Sequence, residues 1–578
     1  MKPAIHTPTP SAGRRGGTGL PAAVPILSRP GVGWLLLLLP VVAFGVLWSR
    51  YAVNVPKWDD HALRAFLIQL AGEPTPAGKV YQFFRQHNEH RIVYDRLITW
   101  LDYQLVGELR FTHLMVVGNL SLLLLLLVLY KVLSRELPGR AGTTRWYAAP
   151  VALLLFNLSH WENMFWGMAA LQNFTVVAWV LACLYLLAYT PYRPAAFGLA
   201  VAATLTSGNG LIVWPVSLAM LIVQAVEGRE TRRTVAGWMA GTLVVTVLYF
   251  LDYQRPTGNP PAQFGMIQLL KGWFAFNGAA AEAFPLGLPA YPLSILLGGV
   301  LTLVSAGIYV FILSRRLTRP RPISPLDYFY GGSVAFLLGT GAIVAWSRVG
   351  FGTELLITSR YKIYALTLLA VLYVYFVSRA PHRWRAPVGL AGLGFGTVLA
   401  WAAYLSYLDE TVMWRRWFLA SQFNWSYETN TPPPTRPAGL YQPAFYENCL
   451  AQVMQPATAP AIAIDTVFRT GHSIIVQNTS QPATPNPNHE QYVRLWSPQR
   501  TYLFSTGPVQ NQNWRVLFGL APVFSAGFQT VIPDMEPAPG VYQLEVITAR
   551  SGEACQAHPT GRTLRITPST STPVEKNW

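Results

Sequence analysis

Apolar residues in this chain gather into runs such as GWLLLLLPVVAFGVLW and LMVVGNLSLLLLLLVLY. About 20 apolar residues wound as a helix match the ~30 Å hydrocarbon layer of a bilayer. On that scale the pattern predicts membrane-spanning helices at 32–50, 112–132, 146–158, 173–190, 195–206, 211–226, 235–251, 291–314, 328–346, 361–378 and 387–407. The expectation is a polytopic α-helical membrane protein of about eleven spans, several of them short.

Apolar periodicity changes character in two places. Between the first two spans, VNVPKWDDHALRAFLIQLAG carries Leu63, Phe66, Leu67 and Leu70 at helical spacing. A second amphipathic helix is expected from about Gln82, with Val93, Leu97, Leu101 and Leu105 on one stripe and the charged turn QHNEHR at its start. Both read as interfacial helices lying along a membrane surface. Beyond Leu408 the pattern turns to short alternating segments, AIAIDTVF, HSIIVQ, QYVRLW, RTYLFS, GVYQLEVITAR and RTLRIT, punctuated by Pro, Gly and Asn. That predicts a small β-sandwich.

The resulting organisation is a disordered leader (1–31), a transmembrane domain (32–408) whose first outer loop is 51–111, a Pro-rich linker (409–440), and a β-sandwich with a disordered tail (441–578). The leader carries Lys2, Arg14, Arg15 and Arg29, and no small-residue cleavage site follows the first apolar run, so that run reads as a retained anchor.

Composition agrees: 52% of the 578 residues are hydrophobic and 12% charged. The formal charge of +17 falls mostly between apolar runs, not on one basic face with interleaved aromatics, which sets nucleic acid aside as a partner. Alternate loops hold the cations: Lys131, Arg135, Arg140 and Arg145; Arg193; Arg229, Arg232 and Arg233; Arg315, Arg316, Arg319 and Arg321; Arg379, Arg383 and Arg385. By the positive-inside rule these loops are cytoplasmic, with the amino terminus inside and the carboxyl terminus outside, in a bacterial inner membrane. Cys449 and Cys555 then face an oxidising periplasm and can form a disulfide, while Cys183 lies within a span.

The chemistry-bearing residues cluster on the outer side. Asp59 and Asp60 precede a helix, where one Asp serves as a cap, but two adjacent carboxylates repel at a surface of low dielectric. In HNEHR, Arg91 and Asp95 suit an i,i+4 pair; His87 and His90 around Glu89 suit a metal in type but lack the fuller spacing of a zinc helix. The remaining use is acid and base chemistry beside a bound anion, with Asp60 and Glu89 as carboxylates and Arg91 as cation.

An acidic pair just past the first span (WDD), followed by a further acid on a second surface helix (HNEHR), resembles the GT-C superfamily of integral-membrane glycosyltransferases over about 400 residues of membrane region. The resemblance implies a sugar donor carried on polyprenyl phosphate at the outer leaflet and a loop carboxylate as base. It makes Asp60 the leading base, Asp59 its near alternative and Glu89 a second acid.

Other outer-side motifs fit around such a site. In NLSHWENMFWGMAALQN, Trp161 and Trp166 can stack on sugars beside Glu162, Asn163 and Gln172, or form an aromatic belt. Asn209 in TSGNG is a tight turn or a hydroxyl ligand. Arg348 and Arg360 sit where the positive-inside rule disfavours them, and a lipid phosphate is the anion that answers them; Lys362 suits snorkelling to headgroups. No P-loop, dinucleotide fingerprint, GxSxG or CxxC motif competes.

The expected function is transfer of a sugar from a polyprenyl-phosphate donor to an envelope glycan, lipid or protein on the outer face. Asp60 or Asp59 takes the acceptor proton, and Arg360 with Arg91 or Arg348 stabilises the departing phosphate. A divalent cation is left open. The alternatives are a lipid or solute transporter, disfavoured by the few charges within spans, and a polysaccharide polymerase or ligase, which would place its large outer loop late.

Overall fold

The computed structural model describes residues 24–137, 141–255, 265–284, 289–318, 322–430, 449–550 and 553–567. Most of the leader, Arg140, Arg319, Arg321, residues 431–440 of the Pro-rich linker, 441–448 at the expected start of the sandwich, and the tail after 567 lie outside them. The main helices are α1 (Pro30–Tyr51), α2 (Asp60–Gly72), α3 (Pro76–Phe84), α4 (Val93–Val106), α5 (Phe111–Glu136), α6 (Ala141–Leu155), α7 (Thr175–Tyr189) and α8 (Arg193–Thr206). They continue with α9 (Val213–Val226), α10 (Arg232–Phe250), α11 (Met266–Asn277), α12 (Ala290–Thr318), α13 (Pro325–Arg348), α14 (Lys362–Arg379) and α15 (His382–Ser426).

Nine helices among the described residues are long and apolar enough to cross a membrane. Of the drawn spans, 146–158 and 195–206 correspond to α6 and α8, with 15 and 14 residues. At 1.5 Å per residue these reach about 21–22 Å, short of a ~30 Å hydrocarbon layer. The outer faces of the bundle suit lipid better than water: Leu35, Leu39, Leu243 and Leu303 are 62, 59, 66 and 72% exposed. Between these faces runs one apolar core with contributions from α1 and from α5 through α15.

The two ends of the bundle differ. At one end, ion pairs join Arg193 to Glu230 (2.6 Å), Arg316 to Glu227 (3.0 Å) and Arg379 to Asp327 (2.5 Å). At the other end lie the loop between α1 and α5, the 157–173 segment and the turn after α8. In that loop the apolar stripe of α2 faces protein, not lipid. Leu63, Phe66, Leu67 and Leu70 are buried against Phe111, Leu114, Trp166 and Leu171. The second helix does not begin at Gln82: α3 ends at Phe84, α4 starts at Val93, and QHNEHR lies in the loop between them. The stripe on α4 is turned outward, with Leu97 41%, Leu101 38% and Leu105 83% exposed, as an interfacial helix requires.

The last apolar helix continues past the expected end at 407 and the expected linker start at 409. It runs 45 residues to Ser426, about 68 Å, more than twice the hydrocarbon thickness. Its extension is welded to the C-terminal region. Buried Arg416 donates to the Thr506 carbonyl (2.9 Å) and hydroxyl (2.7 Å), and Asn424 exchanges two 2.8 Å bonds with the Leu503 backbone. These pairings satisfy polar groups that the packed junction hides from water.

The C-terminal region has two four-stranded antiparallel sheets, ordered β1-β2-β6-β5 and β4-β3-β7-β8. The strands are Thr466–Thr470, Ser473–Asn478, His489–Trp496, Thr501–Ser505, Gly507–Gln510, Phe524–Pro533, Gly540–Arg550 and Gln556–Ile566. One apolar cluster draws Ile474, Val476, Phe528 and Ile532 from the first sheet and Val493, Leu495, Phe504, Leu544 and Val546 from the second. Cys449 and Cys555 are joined by a disulfide, and Cys183 is buried and unpaired.

Candidate active site

Where the loop between α1 and α5 meets the ends of α8, α10, α13 and the start of α14, side chains enclose a cavity of about 440 Å³. It brings together Asp59, His87, Glu89, His90, Trp166, Gln172, Asn209, Arg348 and Arg360, residues drawn from five separate stretches of sequence. Asp60, Arg91, Trp161, Glu162 and Asn163 are not on its wall.

The acidic pair divides between two environments. Asp60 opens α2 and is fully buried; its Oδ1 accepts from the Met168 N–H (2.8 Å) and its Oδ2 from the Lys57 N–H (3.1 Å). It is a structural tie between the loop and the 167–168 turn, and burial lifts its carboxyl to about 7, with both N–H bonds and Lys57 pulling the other way. The expected leading base is therefore not on the cavity wall. Asp59 makes no capping bond, keeps its side chain 35% exposed and lines the cavity, with Oδ1 3.9 Å from His87 Nε2. Consecutive residues at a helix start differ in direction by about 100°, so one acid turns inward and the other toward the site.

HNEH is a tight turn. His87 N–H bonds to the His90 carbonyl (2.9 Å), His90 N–H to the His87 carbonyl (2.8 Å), and Asn88 occupies the left-handed region at φ 48°. The turn sends Glu89 toward Arg348, forming a 2.6 Å ion pair across the cavity. His90 Nδ1 accepts from the Gly208 N–H (3.1 Å). Burial lowers both imidazoles, His87 to about 4 despite Asp59 nearby, so both rings are neutral near pH 7. Gly208 is there for room: a Cβ would lie 2.9 Å from His90 Nδ1 and 3.0 Å from the Tyr249 hydroxyl.

Arg91 is not paired with Asp95 and is not on the cavity wall. Its guanidinium donates to the carbonyls of Phe84 (2.7 Å), Tyr249 (3.1 Å) and Leu251, clasping the loop to the end of α10. Two arginines line the cavity, Arg348, which is paired with Glu89, and Arg360. The Arg360 guanidinium lies 5.9 Å from the Trp166 ring and 5.6 Å from the Tyr361 ring, and its Nε is buried with no hydrogen-bond partner among the described residues. Asn163 positions that segment, donating to the Arg360 carbonyl (2.9 Å) and accepting from Asn173 (3.1 Å). Asn209 donates to the Tyr364 hydroxyl (2.9 Å), and its Oδ1 is buried with no hydrogen-bond partner among the described residues.

Of the two tryptophans, Trp166 lines the cavity and Trp161 packs on Trp414 with centroids 4.9 Å apart. Glu162 serves Lys57, which the sequence reading missed. Lys57 is buried, 3.2 Å from Glu162, with its Nζ 4.3, 4.3 and 3.3 Å from the ring centroids of Trp58, Trp166 and Trp414. Burial lowers its pKa to about 7, with Glu162 opposing. Its position next to WDD was a signal, but nothing local announces a partner 105 residues away. Lys362 does not snorkel: it is 1% exposed and bonded to Glu282 and the Tyr407 hydroxyl. Among the described residues no group of three or more His, Cys, Asp or Glu side chains is placed to hold a metal ion.

The geometry therefore offers a carboxylate, a partly neutralised acid–arginine pair, a guanidinium whose Nε has no partner among the described residues, and an aromatic wall around one cavity. No family model, curated protein or solved structure matches this chain.

Proposed function

We propose that the protein is a membrane glycosyltransferase that moves a sugar from a polyprenyl-phosphate donor to an envelope acceptor on the outer side of a bacterial inner membrane. The observation that carries this reading is the placement of Asp59 and Arg360 on one cavity at the end of the bundle away from the basic ion-paired end. Asp59 takes the proton of the acceptor hydroxyl as that oxygen attacks the anomeric carbon, and Arg360 holds the departing lipid phosphate. Arg348, restrained by Glu89, adds a second cation at the rim. Trp166 and the amides of Gln172 and Asn209 form a surface of the kind that binds a sugar ring. Asp60 and Arg91 act as scaffold.

The same reading has eleven spans. Helix α5 ends at the basic end, where Glu136 accepts from Tyr189 at the close of α7 (2.9 Å), and α7 begins at the cavity end. The chain between them, which includes α6, returns from one end to the other; α8 does likewise between α7 and α9. The basic end faces the cytoplasm by the positive-inside rule, and the two sheets form a periplasmic sandwich.

The test is reconstitution of the protein in vesicles with a labelled polyprenyl-phosphate sugar and membrane-extracted acceptor. Transfer of label is expected. A preparation that transfers none but moves a lipid or solute across the bilayer replaces the enzyme with a transporter.

A further inference from the structure

Behind Trp58 a second cavity, of about 640 Å³, opens between α2, the outer extension of α15 and strand β4. Four aromatic rings lie on its wall, Trp58, Trp417, Trp425 and Tyr502, and Trp58 and Trp425 are 40 and 43% exposed. Charges of both signs stand between them: Arg64, Arg500 and Glu536. The floor is stiff. Arg500 stacks 4.4 Å over the Tyr502 ring, and Asn424, already bonded to β4, donates to Glu536 (2.9 Å). Trp58 is held at φ 40°, a left-handed conformation that costs a bulky residue energy and is kept where the surroundings impose it. Its ring meets Trp166, on the wall of the first cavity, with centroids 5.5 Å apart, and its chain neighbour is Asp59.

We infer that this groove binds a saccharide chain, which on the transferase reading is the acceptor, running over Trp58 toward Asp59. Flat exposed indoles suit the C–H faces of sugar rings, and forked guanidinium and carboxylate groups suit neighbouring hydroxyls. A polyanion would call for cations alone, and Glu536 opposes it. The volume lies within the ~300–1,000 Å³ of ordinary ligand clefts.

Binding is measured apart from transfer. Full-length protein in lipid nanodiscs is titrated with cellohexaose, maltohexaose, mannohexaose, xylohexaose and arabinohexaose by saturation-transfer NMR. At least one is expected to bind, and Trp58→Ala and Trp425→Ala each to weaken it about tenfold, with polyprenyl-phosphate binding unchanged in Trp425→Ala. Trp425 lies outside the indole cage around Lys57, so its variant guards against loss of fold. Absence of binding by all five, or equal binding by both variants, overturns the groove. Intact glycan binding with no sugar transfer by the wild type instead removes the transferase reading and leaves the groove.

A different observation carries a second proposal. Between β5 and β6, Trp514, Phe518 and Leu520 are 64, 68 and 71% exposed, the three most exposed large apolar side chains of the C-terminal region among the described residues. The Leu517 carbonyl accepts from Trp401 Nε1 (2.7 Å) on α15. Trp401 is about 28 Å along that helix from its start at His382, which puts it at the far edge of a ~30 Å hydrocarbon layer. We propose that the 514–520 segment dips into the outer leaflet, with Arg515 at the headgroups, and anchors the sheets to the membrane. A spin label at Phe518→Cys, in a Cys183→Ser background, is read in phosphatidylethanolamine and phosphatidylglycerol vesicles and compared with one at Phe468→Cys on β1. Oxygen is expected to reach 518 better than a water-soluble nickel chelate does, and the reverse at 468. The same aqueous accessibility at both positions overturns the anchor.

Discussion

Lys57 is the residue whose removal most sharply probes how the site is held. Its ammonium is buried at 3.2 Å from Glu162 inside three indole rings, two of which, Trp58 and Trp166, wall the two cavities. Lys57→Met keeps the stem but strands a buried carboxylate, for which a loss of ~3–5 kcal/mol is expected. Glu162→Gln strands the ammonium instead. That group can escape by releasing its proton, because burial already holds it near 7 against an ordinary 10.5. A lysine depressed in the folded state binds fewer protons there than when unfolded, so its contribution to stability rises from about pH 7 toward pH 10.5. The Glu162→Gln deficit should therefore shrink between pH 6 and pH 9 while the Lys57→Met deficit does not. The double variant removes both charges and should recover most of the loss, with a coupling of ~2–3 kcal/mol. Unfolding followed by tryptophan fluorescence in one detergent measures all four proteins. A Lys57→Met protein as stable as the wild type, or single losses that simply add in the double variant, would refute the buried pair as a keystone.

Asp60→Asn offers one acceptor oxygen to the two backbone donors that Asp60 satisfies, so stability should fall by ~1–3 kcal/mol while transfer per folded molecule stays near wild type, compared by thermal unfolding and by rate. Its carboxyl is raised from 3.8 to about 7, so its contribution is fully present below about pH 4 and is lost as pH climbs through 7; the variant should lack that slope. Gly208→Ala must displace His90 or Tyr249 and should cost ~1–2 kcal/mol and lower transfer, checked by the same two assays. Cys449→Ser with Cys555→Ser opens a link spanning 106 residues, worth ~4–5 kcal/mol on chain-entropy grounds, and should make the sheets protease-sensitive while the helices resist.

The apolar runs were legible because a bilayer-length helix leaves a signal in almost every residue, and most strands because alternation is local. Stripe direction was not: Leu63, Phe66, Leu67 and Leu70 have the same pattern whether the partner is lipid or Trp166. HNEHR has no apolar period, and its turn rests on Asn88 adopting a positive φ, which letters alone do not announce. The extension of α15 carries Asp409, Glu410, Arg415 and Arg416, which look like the end of a span; Thr506 and Leu503, distant in sequence, hold it helical. Gathering of the site was readable as a list of residue types, whereas the division of labour between Asp59 and Asp60 depends on which of two neighbours meets the Met168 amide.

The most direct measurement is the rate of sugar transfer from polyprenyl phosphate by Asp59→Asn in reconstituted vesicles, with donor affinity and thermal unfolding recorded on the same preparation. Loss of a general base predicts turnover lower by roughly 10² to 10⁴ with donor binding and fold retained. Wild-type turnover by Asp59→Asn, beside a folded Asp60→Asn protein that transfers nothing, would contradict the assignment of the base.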